Sequence, residues 1–125
     1  MLGTLNVIAM VAVKDLAVAR QFYEETLGLT VIATQGEEVV TFRSGDAMFN
    51  IYRSGYAGTN QATALSWSVG DRLDQIIQAL RAKGVAFEHY DMPGMQRDGD
   101  VHNFGDIKAA WFKDPDGNLL NISNP

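Results

Sequence analysis

The chain contains one pattern twice, and this internal repeat constrains its fold more than any other feature. The stretch "ALSWSVGDRLDQIIQALRAKGVAF" repeats the order of "VIAMVAVKDLAVARQFYEETLGLTVI": an apolar strand, Val-x-Asp, a helix ended by glycine, and a second strand. Three marker residues recur 56 positions later: Val13 and Val69, Asp15 and Asp71, Gly28 and Gly84. The aspartates are predicted helix N-caps. The glycines are predicted to follow the helix C-termini, where the backbone adopts a left-handed conformation.

Each copy continues with runs that have the alternation and the turn residues of β-strands. In the first copy these runs are "GLTVIAT", "EVVTFRS" and "DAMFNIYR"; in the second they are "VAFEHY", "IKAAWFK" and "NLLNIS". Each copy therefore follows the order β-α-β-β-β. We predict an α+β protein with one domain over residues 1–125, in which module one spans about 1–57 and module two about 61–125.

The two copies differ mainly in the stretch 91–106, "DMPGMQRDGDVHNFGD". This stretch is polar, contains glycine and shows no clear period, which indicates a loop. Loops of this length inside compact domains are usually lids, binding loops or contacts to a partner. A disordered surface insertion is the alternative interpretation.

Composition excludes several classes of function. The chain has no cysteine, and therefore no disulfide, no thiolate nucleophile and no thiolate metal site. Its net charge of −5 and its scattered basic residues argue against nucleic acid as a partner. Its apolar runs fall short of the roughly 20 residues that a membrane span needs, and its N-terminus lacks a basic leader. We therefore expect a cytoplasmic protein without a membrane partner.

The chain resembles the vicinal oxygen chelate superfamily, which groups glyoxalases, bleomycin resistance proteins and extradiol dioxygenases. The resemblance lies in "VAVKDLAVARQFYEETLGLTV" and "AAWFKDPDGNLLNIS", of which "FYEETLGL" and "DPDGN" are the most specific phrases. It implies two βαβββ modules whose curled mixed sheets enclose a cleft. It also implies a homodimer, with clefts built either within one chain or across two.

The resemblance also indicates where metal-dependent relatives hold a divalent ion. Their histidine, glutamine and glutamate ligands lie on the first and last strands of each module, and these positions correspond here to Ile8, Asn50, Ala64 and Asn121. Ile8 and Ala64 have no donor atom. The two asparagines offer only neutral carbonyl oxygens, whereas a catalytic ion usually has about three protein ligands that include histidine or carboxylate. We therefore predict that the usual metal site is absent, and we expect no cofactor.

Strand alternation predicts which side chains line the cleft, because residues two apart share a face. The predicted cleft residues are Ile8, Met10, Ala12, Met48, Asn50, Tyr52, Ala64, Ser66, Ser68, Leu119, Asn121 and Ser123. Either Trp111 or Phe112 must join them, and Trp111 is included as a predicted ligand contact. Apolar walls with a few amides, hydroxyls and one phenol are typical of a small-molecule pocket. A cleft filled by side chains or by a partner chain is the alternative.

The two histidines are the candidate catalytic residues. His89 ends a predicted strand in "FEHYD", and His102 lies in the long loop in "DVHNFGD". With the acidic residues nearby they could form a general base or an unorthodox metal site. Each could equally be a solvated or structural histidine.

Three functions are compatible with these observations. The first is a metal-free binding protein that sequesters a small, partly apolar or aromatic molecule. The second is a lyase, isomerase or dioxygenase-type enzyme, which uses His89 and His102 or works without metal. The third is a subunit or effector-binding module whose cleft is occupied by a partner.

Overall fold

The computed structural model describes all residues 1–125, which form two compact units over 1–59 and 60–125. The elements of unit one are β1 (Ala9–Val13), α1 (Leu16–Gln21) with a π-helical continuation (Phe22–Thr26), β2 (Thr30–Gln35), β3 (Val39–Ser44) and β4 (Ala47–Arg53). None of the helices of the protein is long and apolar enough to span a membrane.

Unit one is a four-stranded mixed sheet in the order β1-β4-β3-β2. The pair β1 and β4 is parallel, and the other two pairs are antiparallel. Helix α1 begins where predicted, because the Asp15 carboxylate accepts hydrogen bonds from the N–H groups of Ala17 at 3.0 Å and Val18 at 3.2 Å. It is followed by Gly28, whose φ of 76° is the left-handed conformation predicted at this helix end.

The core of unit one is an aromatic cluster between helix and sheet. The rings of Tyr23, Phe42 and Phe49 lie with centroids 5.6–5.7 Å apart. Tyr23 and Phe42 are fully buried, and so are Ala19 on α1 and Ile51 on β4. Burial of such side chains contributes roughly 1.5–3 kcal/mol each, so this cluster supplies much of the stability of the unit.

Unit two repeats the order of elements and adds two strands. Its elements are β5 (Thr63–Ser68), a 3₁₀ turn (Gly70–Arg72), α2 (Leu73–Ala82), β6 (Phe87–Glu88), β7 (Gln96–Asp98), β8 (Val101–Phe104), β9 (Ile107–Lys113) and β10 (Leu119–Ser123). The sheet order is β5-β10-β9-β8-β7, with β6 also paired to β9. The pair β5 and β10 is parallel, like β1 and β4 in unit one. The predicted α+β class and the repeated β-α-β-β-β order are confirmed.

The structure differs from the sequence prediction in the stretch 91–106. Strands β7 and β8 form a hairpin there, with Gly99 at a φ of 63° in its turn, and β8 pairs antiparallel with β9. Residues 96–104 of this stretch therefore belong to the sheet, and only 91–95 form a loop before it. Its strands are short and polar, and they depend on the edge of β9 for partners, which explains why local periodicity did not predict them.

A second difference concerns the start of α2. The N-cap of this helix is Arg72, which makes no side-chain capping bond, and Asp71 lies inside the preceding 3₁₀ turn. The predicted capping role of Asp71 is therefore wrong. The other end of the helix is as predicted, since Gly84 has a φ of 90° and donates its N–H to the carbonyl oxygen of Arg81 at 2.9 Å.

The turn before β10 is organised by the buried carboxylate of Asp114, which is 5% exposed. Its Oδ1 accepts hydrogen bonds from the N–H groups of Asp116 and Asn118, both at 2.9 Å. Its Oδ2 accepts a bond from Nδ2 of Asn118 at 2.8 Å. This turn sets where β10 begins, and therefore which side chains of β10 share a face.

We expect Asp114→Ala to lower the free energy of unfolding by about 2–4 kcal/mol, because three hydrogen-bond donors around the buried carboxylate would lose their acceptor. Urea denaturation followed by circular dichroism measures the change. Asp46→Ala, in the exposed turn between β3 and β4, is the control and should change stability by less than about 0.5 kcal/mol. Equal effects of the two substitutions would contradict the role assigned to Asp114.

Candidate ligand-binding site

The last strand of unit one places Asn50 on the sheet face opposite the aromatic core. Its neighbours across the ladder are Met10 on β1 and Thr41 on β3. Phe49 and Ile51, the adjacent residues of β4, are buried on the other side. The surface that we call the Asn50 face consists of Met10, Ala12, Thr41, Met48, Asn50 and Tyr52.

The hydrogen bonds of Asn50 fix the orientation of its amide. The Thr41 hydroxyl donates to Asn50 Oδ1 at 2.6 Å, and Asn50 Nδ2 lies 3.4 Å from the sulfur of Met10. A thioether sulfur accepts weakly and cannot donate, so the nitrogen and not the oxygen belongs on that side. The Asn50 face therefore presents an N–H donor whose partner within the chain is a weak acceptor.

The two methionines of this face, together with Ile8 beside it, supply exposed apolar surface. Met10 is 50% exposed and Met48 is 48% exposed. Ile8, which precedes the first residue of β1, is 46% exposed. Methionine side chains adapt to the shape of an occupant, so they suit the wall of a small-molecule site.

In unit two, Asn121 occupies the corresponding place on β10. It lies opposite Ser66 of β5 and Trp111 of β9, and these residues, with His102 of β8 and Leu119 of β10, define the Asn121 face. The Ser66 hydroxyl donates to Asn121 Oδ1 at 2.7 Å. Asn121 Nδ2 donates to the carbonyl oxygen of Ala110 at 3.3 Å. Asn121 is 8% exposed, so its amide is satisfied within the sheet.

A β-bulge changes the register of β5 beside this face. Leu119 pairs with Thr63 and Leu120 pairs with Leu65, so Ala64 is the extra residue. Simple alternation predicted that Ala64 shares the Asn121 face with Ser66. Because of the bulge, the residue of β5 in register with Leu119 is Thr63 and not Ala64. Thr63 also accepts a hydrogen bond from Trp111 Nε1 at 3.2 Å. Nothing in "TALSWS" signals the bulge, which depends on the pairing with β10.

Trp111, and not Phe112, lies on the Asn121 face. It packs at a right angle against His102, with centroids 4.9 Å apart and planes at 88°. It packs likewise against Tyr90, at 5.8 Å and 84°, and Tyr90 lies 5.9 Å from His102. We call these three rings the aromatic corner. Tyr90 was not singled out from the sequence, where it follows the short strand β6 without a motif of its own.

The structure gives the two histidines different partners. His102 is fully buried, and its Nε2 accepts the backbone N–H of Tyr90 at 2.9 Å. His89 is exposed, and its Nε2 lies 2.7 Å from Oδ1 of Asp100. Oδ2 of Asp100 also accepts from the guanidinium of Arg81 on α2, with Nε at 2.8 Å. The histidines are therefore not joined by a hydrogen bond to each other.

These contacts shift two pKa values. The hydrogen bond from His89 lowers the pKa of Asp100 below its ordinary value, and Arg81 adds to this effect while burial opposes it. Burial raises the pKa of Tyr90, with a further increase from the negative charge of Glu88 and a decrease from Lys113. Tyr90 is therefore a neutral phenol near pH 7, and Asp100 is an anion that joins the β7–β8 hairpin to α2.

The residues at the positions that the resemblance assigns to metal ligands offer a poor donor set for a divalent ion. Ile8 offers no donor atom, and the oxygens of Asn50 and Asn121 already accept hydroxyl hydrogen bonds. The structure contains no group of three or more His, Cys, Asp or Glu side chains that could hold a metal ion. The two asparagine oxygens are thus neutral donors that each already share a hydroxyl hydrogen bond.

A cavity of about 590 Å³ lies in unit one but does not involve the Asn50 face. It is lined by Lys14, Asp15, Leu16, Ala17, Arg20, Thr34, Gly36, Glu37, Val40 and Arg53. Its charges are mixed, and Arg53 is held by Glu38 at 2.7 Å. This cavity therefore shows no chemistry that would select a ligand.

Comparison with known proteins relates the chain to one family. The model of the Glyoxalase/Bleomycin resistance protein/Dioxygenase superfamily matches residues 4–122. A glyoxalase family protein from Enterococcus faecalis is 18% identical, with a TM-score of 0.73 over 98% of this chain and 99% of that chain. Lactoylglutathione lyase from Agrobacterium tumefaciens is 16% identical, with a TM-score of 0.70 over 97% and 94%. Fosfomycin resistance protein FosX from Mesorhizobium loti is 12% identical, with a TM-score of 0.70 over 100% and 94%. At these identities the likeness to solved structures shows the fold.

The lowered pKa of Asp100 predicts a contribution to stability that is lost in acid. A carboxyl group whose pKa is lower in the folded protein than in the unfolded chain stabilises the fold above its unfolded pKa, here 3.8. Below that pH the contribution fades as the pH falls through the folded pKa. We therefore expect Asp100→Asn to lower the free energy of unfolding at pH 6, by a difference that shrinks between pH 4 and pH 2.

Urea denaturation at several pH values measures this difference. Asp98→Asn, at an exposed position of the same hairpin, is the control and should show no comparable loss. A difference between wild type and Asp100→Asn that stays constant with pH would contradict the assigned ion pair.

Proposed function

Because the chain belongs to the Glyoxalase/Bleomycin resistance protein/Dioxygenase superfamily, we propose that it is a metal-free member that binds and sequesters a small, partly apolar or aromatic molecule. The Asn50 face and the Asn121 face are the candidate binding surfaces, each within its own unit. The proposal includes one domain over residues 1–125, a homodimeric state and a cytoplasmic location.

The observation that carries this proposal is the state of the two asparagines. Each side-chain oxygen accepts a hydroxyl hydrogen bond, from Thr41 for Asn50 and from Ser66 for Asn121. A divalent ion at either oxygen would share it with a hydroxyl donor and would gain only a neutral ligand, whereas divalent sites usually include carboxylates. The polar groups on these faces therefore suit an organic ligand better than an ion.

The chemistry of the faces indicates the kind of molecule. Met10 and Met48 supply exposed apolar surface, and Trp111 supplies an aromatic wall. Asn50 Nδ2 supplies a donor for an oxygen atom of the ligand. A few oriented polar groups among apolar side chains give a small-molecule site its affinity and its specificity.

The similar solved structures support a small molecule as the partner. One is named as a fosfomycin resistance protein and one as a lactoylglutathione lyase. The second name also supports the alternative that this chain is an enzyme of the lyase, isomerase or dioxygenase type, with an unorthodox metal site or none. The buried His102, whose Nδ1 has no partner within the chain, is the group that such chemistry would use.

A metal titration separates the two functions. We expect chelator-treated protein to show no binding of nickel, zinc, manganese or iron(II) at micromolar concentrations in a calorimeter. The physical reason is that the residues at the usual ligand positions supply no charge. Tight, stoichiometric binding would contradict the metal-free proposal and favour the enzyme.

A thermal-shift screen of small aromatic carbonyl compounds then identifies ligands, since a molecule that binds only the native state raises the melting temperature. We expect Asn50→Ala to weaken the ligands found by about 2- to 10-fold, which corresponds to one lost hydrogen bond of roughly 0.5–1.5 kcal/mol. Calorimetry measures the dissociation constants.

The matched control is Gln61→Ala, which removes an exposed amide outside the Asn50 face. It should leave affinity and melting temperature unchanged. If Asn50→Ala instead strongly destabilises the free protein and leaves affinity intact, the amide is structural and the Asn50 face is not the binding surface.

A further inference from the structure

The hydrogen bond of His102 determines where its ring carries a proton. Nε2 accepts the backbone N–H of Tyr90 at 2.9 Å, and a nitrogen that accepts a hydrogen bond carries no proton. The proton of the neutral ring is therefore on Nδ1. Nδ1 is buried and has no hydrogen-bond partner within the chain.

A buried donor without an acceptor is uncommon and costs roughly 1–3 kcal/mol. His102 is the one residue with such a side-chain atom in the structure. The amide of Asn121, on the same sheet face, has both a donor to its oxygen and an acceptor for its nitrogen. The missing partner of His102 must therefore come from outside the chain.

The surroundings of His102 restrict what that partner can be. Hydrogen bonds orient two of the three rings of the aromatic corner: Trp111 Nε1 donates to Thr63, and His102 Nε2 accepts from the backbone N–H of Tyr90. The rings of Trp111 and Tyr90 meet at 84°, and aromatic rings attract further planar groups by edge-to-face or offset-stacked contact. An apolar, planar molecule suits such a corner.

The charge near the corner favours an uncharged acceptor. Glu88 lies opposite Trp111 in the ladder, and Lys113 contacts its carboxylate at 3.2 Å. Burial raises the pKa of Tyr90, Glu88 raises it further and Lys113 lowers it, so both charges act on the corner. Because Glu88 and Lys113 compensate each other, the corner has no net positive charge to attract an anion, and a neutral carbonyl group suits it better.

We propose that the aromatic corner of unit two binds a planar, uncharged molecule whose carbonyl oxygen accepts a hydrogen bond from Nδ1–H of His102. The inference rests on the proposed function, for which it names the class of ligand at the Asn121 face. The His102 ring is fully buried, so the ligand reaches it when the half-buried side chain of Tyr90 moves aside.

Two substitutions test the donor at Nδ1 of His102 separately from the acceptor at Nε2, which holds the Tyr90 backbone. His102→Gln places an amide oxygen near the position of Nε2, which keeps an acceptor for the Tyr90 N–H and removes the donor at Nδ1. His102→Asn keeps a donor at the position of Nδ1, which its amide nitrogen reaches, and removes the acceptor for the Tyr90 N–H.

The probes are three small aromatic compounds. Benzamide is planar and neutral and has a carbonyl group, toluene has no acceptor, and benzoate is anionic.

Dissociation constants from NMR titration provide the readout. We expect the wild-type protein to bind benzamide at least about 10-fold more tightly than toluene or benzoate. His102→Gln should lose this preference and His102→Asn should retain it. Equal affinity of the wild-type protein for benzamide and toluene would overturn the proposal, because the donor would then serve only a trapped water molecule.

The ring ¹⁵N shifts of the wild-type protein test the same inference without a variant. We expect these shifts to place the ring proton of His102 on Nδ1, and we expect the Nδ1 resonance to move when benzamide is added. A proton on Nε2 would overturn the proposal. If the His102 proposal fails these tests, the proposed function is still supported when ligands that depend on Asn50 are found and no metal binds. Tight metal binding would instead overturn the proposed function, whatever the benzamide preference.

Discussion

Each sheet of this protein keeps an asparagine on one face by pairing its carbonyl oxygen with a hydroxyl group of a neighbouring strand. Asn50 is paired with Thr41 and Asn121 with Ser66. The pairing fixes the orientation of both amides, because an oxygen that accepts the hydroxyl directs the nitrogen to the opposite side. Strand alternation places the residues adjacent to each asparagine on the opposite, buried side: Phe49 and Ile51 on β4, and Leu120 and Ile122 on β10. The direction in which each amide can meet a ligand follows from these two hydrogen bonds.

The features of the fold that sequence predicts are local ones. Asp15 caps a helix through the two amides next to it, and Gly28 and Gly84 adopt positive φ at helix ends. Features that depend on distant pairing were not predictable in the same way. The bulge at Ala64 exists only in register with β10, and the hairpin of β7 and β8 exists because β9 offers an edge. In both cases the information lies in a strand far along the chain.

The candidate site shows the same division. Alternation correctly separated Asn50 from its buried neighbours on β4, because only the period of the strand was needed. It could not assign Trp111, whose face depends on its pairing with Asn121. Nor could it predict that His89 is exposed and His102 buried. One is exposed beside Asp100 and the other is buried without a partner for Nδ1, and this difference arises from tertiary packing alone.

The two units share an architecture and differ in which hydrogen-bond donor is available to a ligand. In unit one it is the Asn50 amide nitrogen, which has only a thioether beside it, and in unit two it is Nδ1 of His102. Both atoms donate hydrogen bonds, whereas a metal ion needs atoms that donate electron pairs. We therefore infer that both faces favour the oxygen atom of a neutral ligand over a cation, as the proposed function requires.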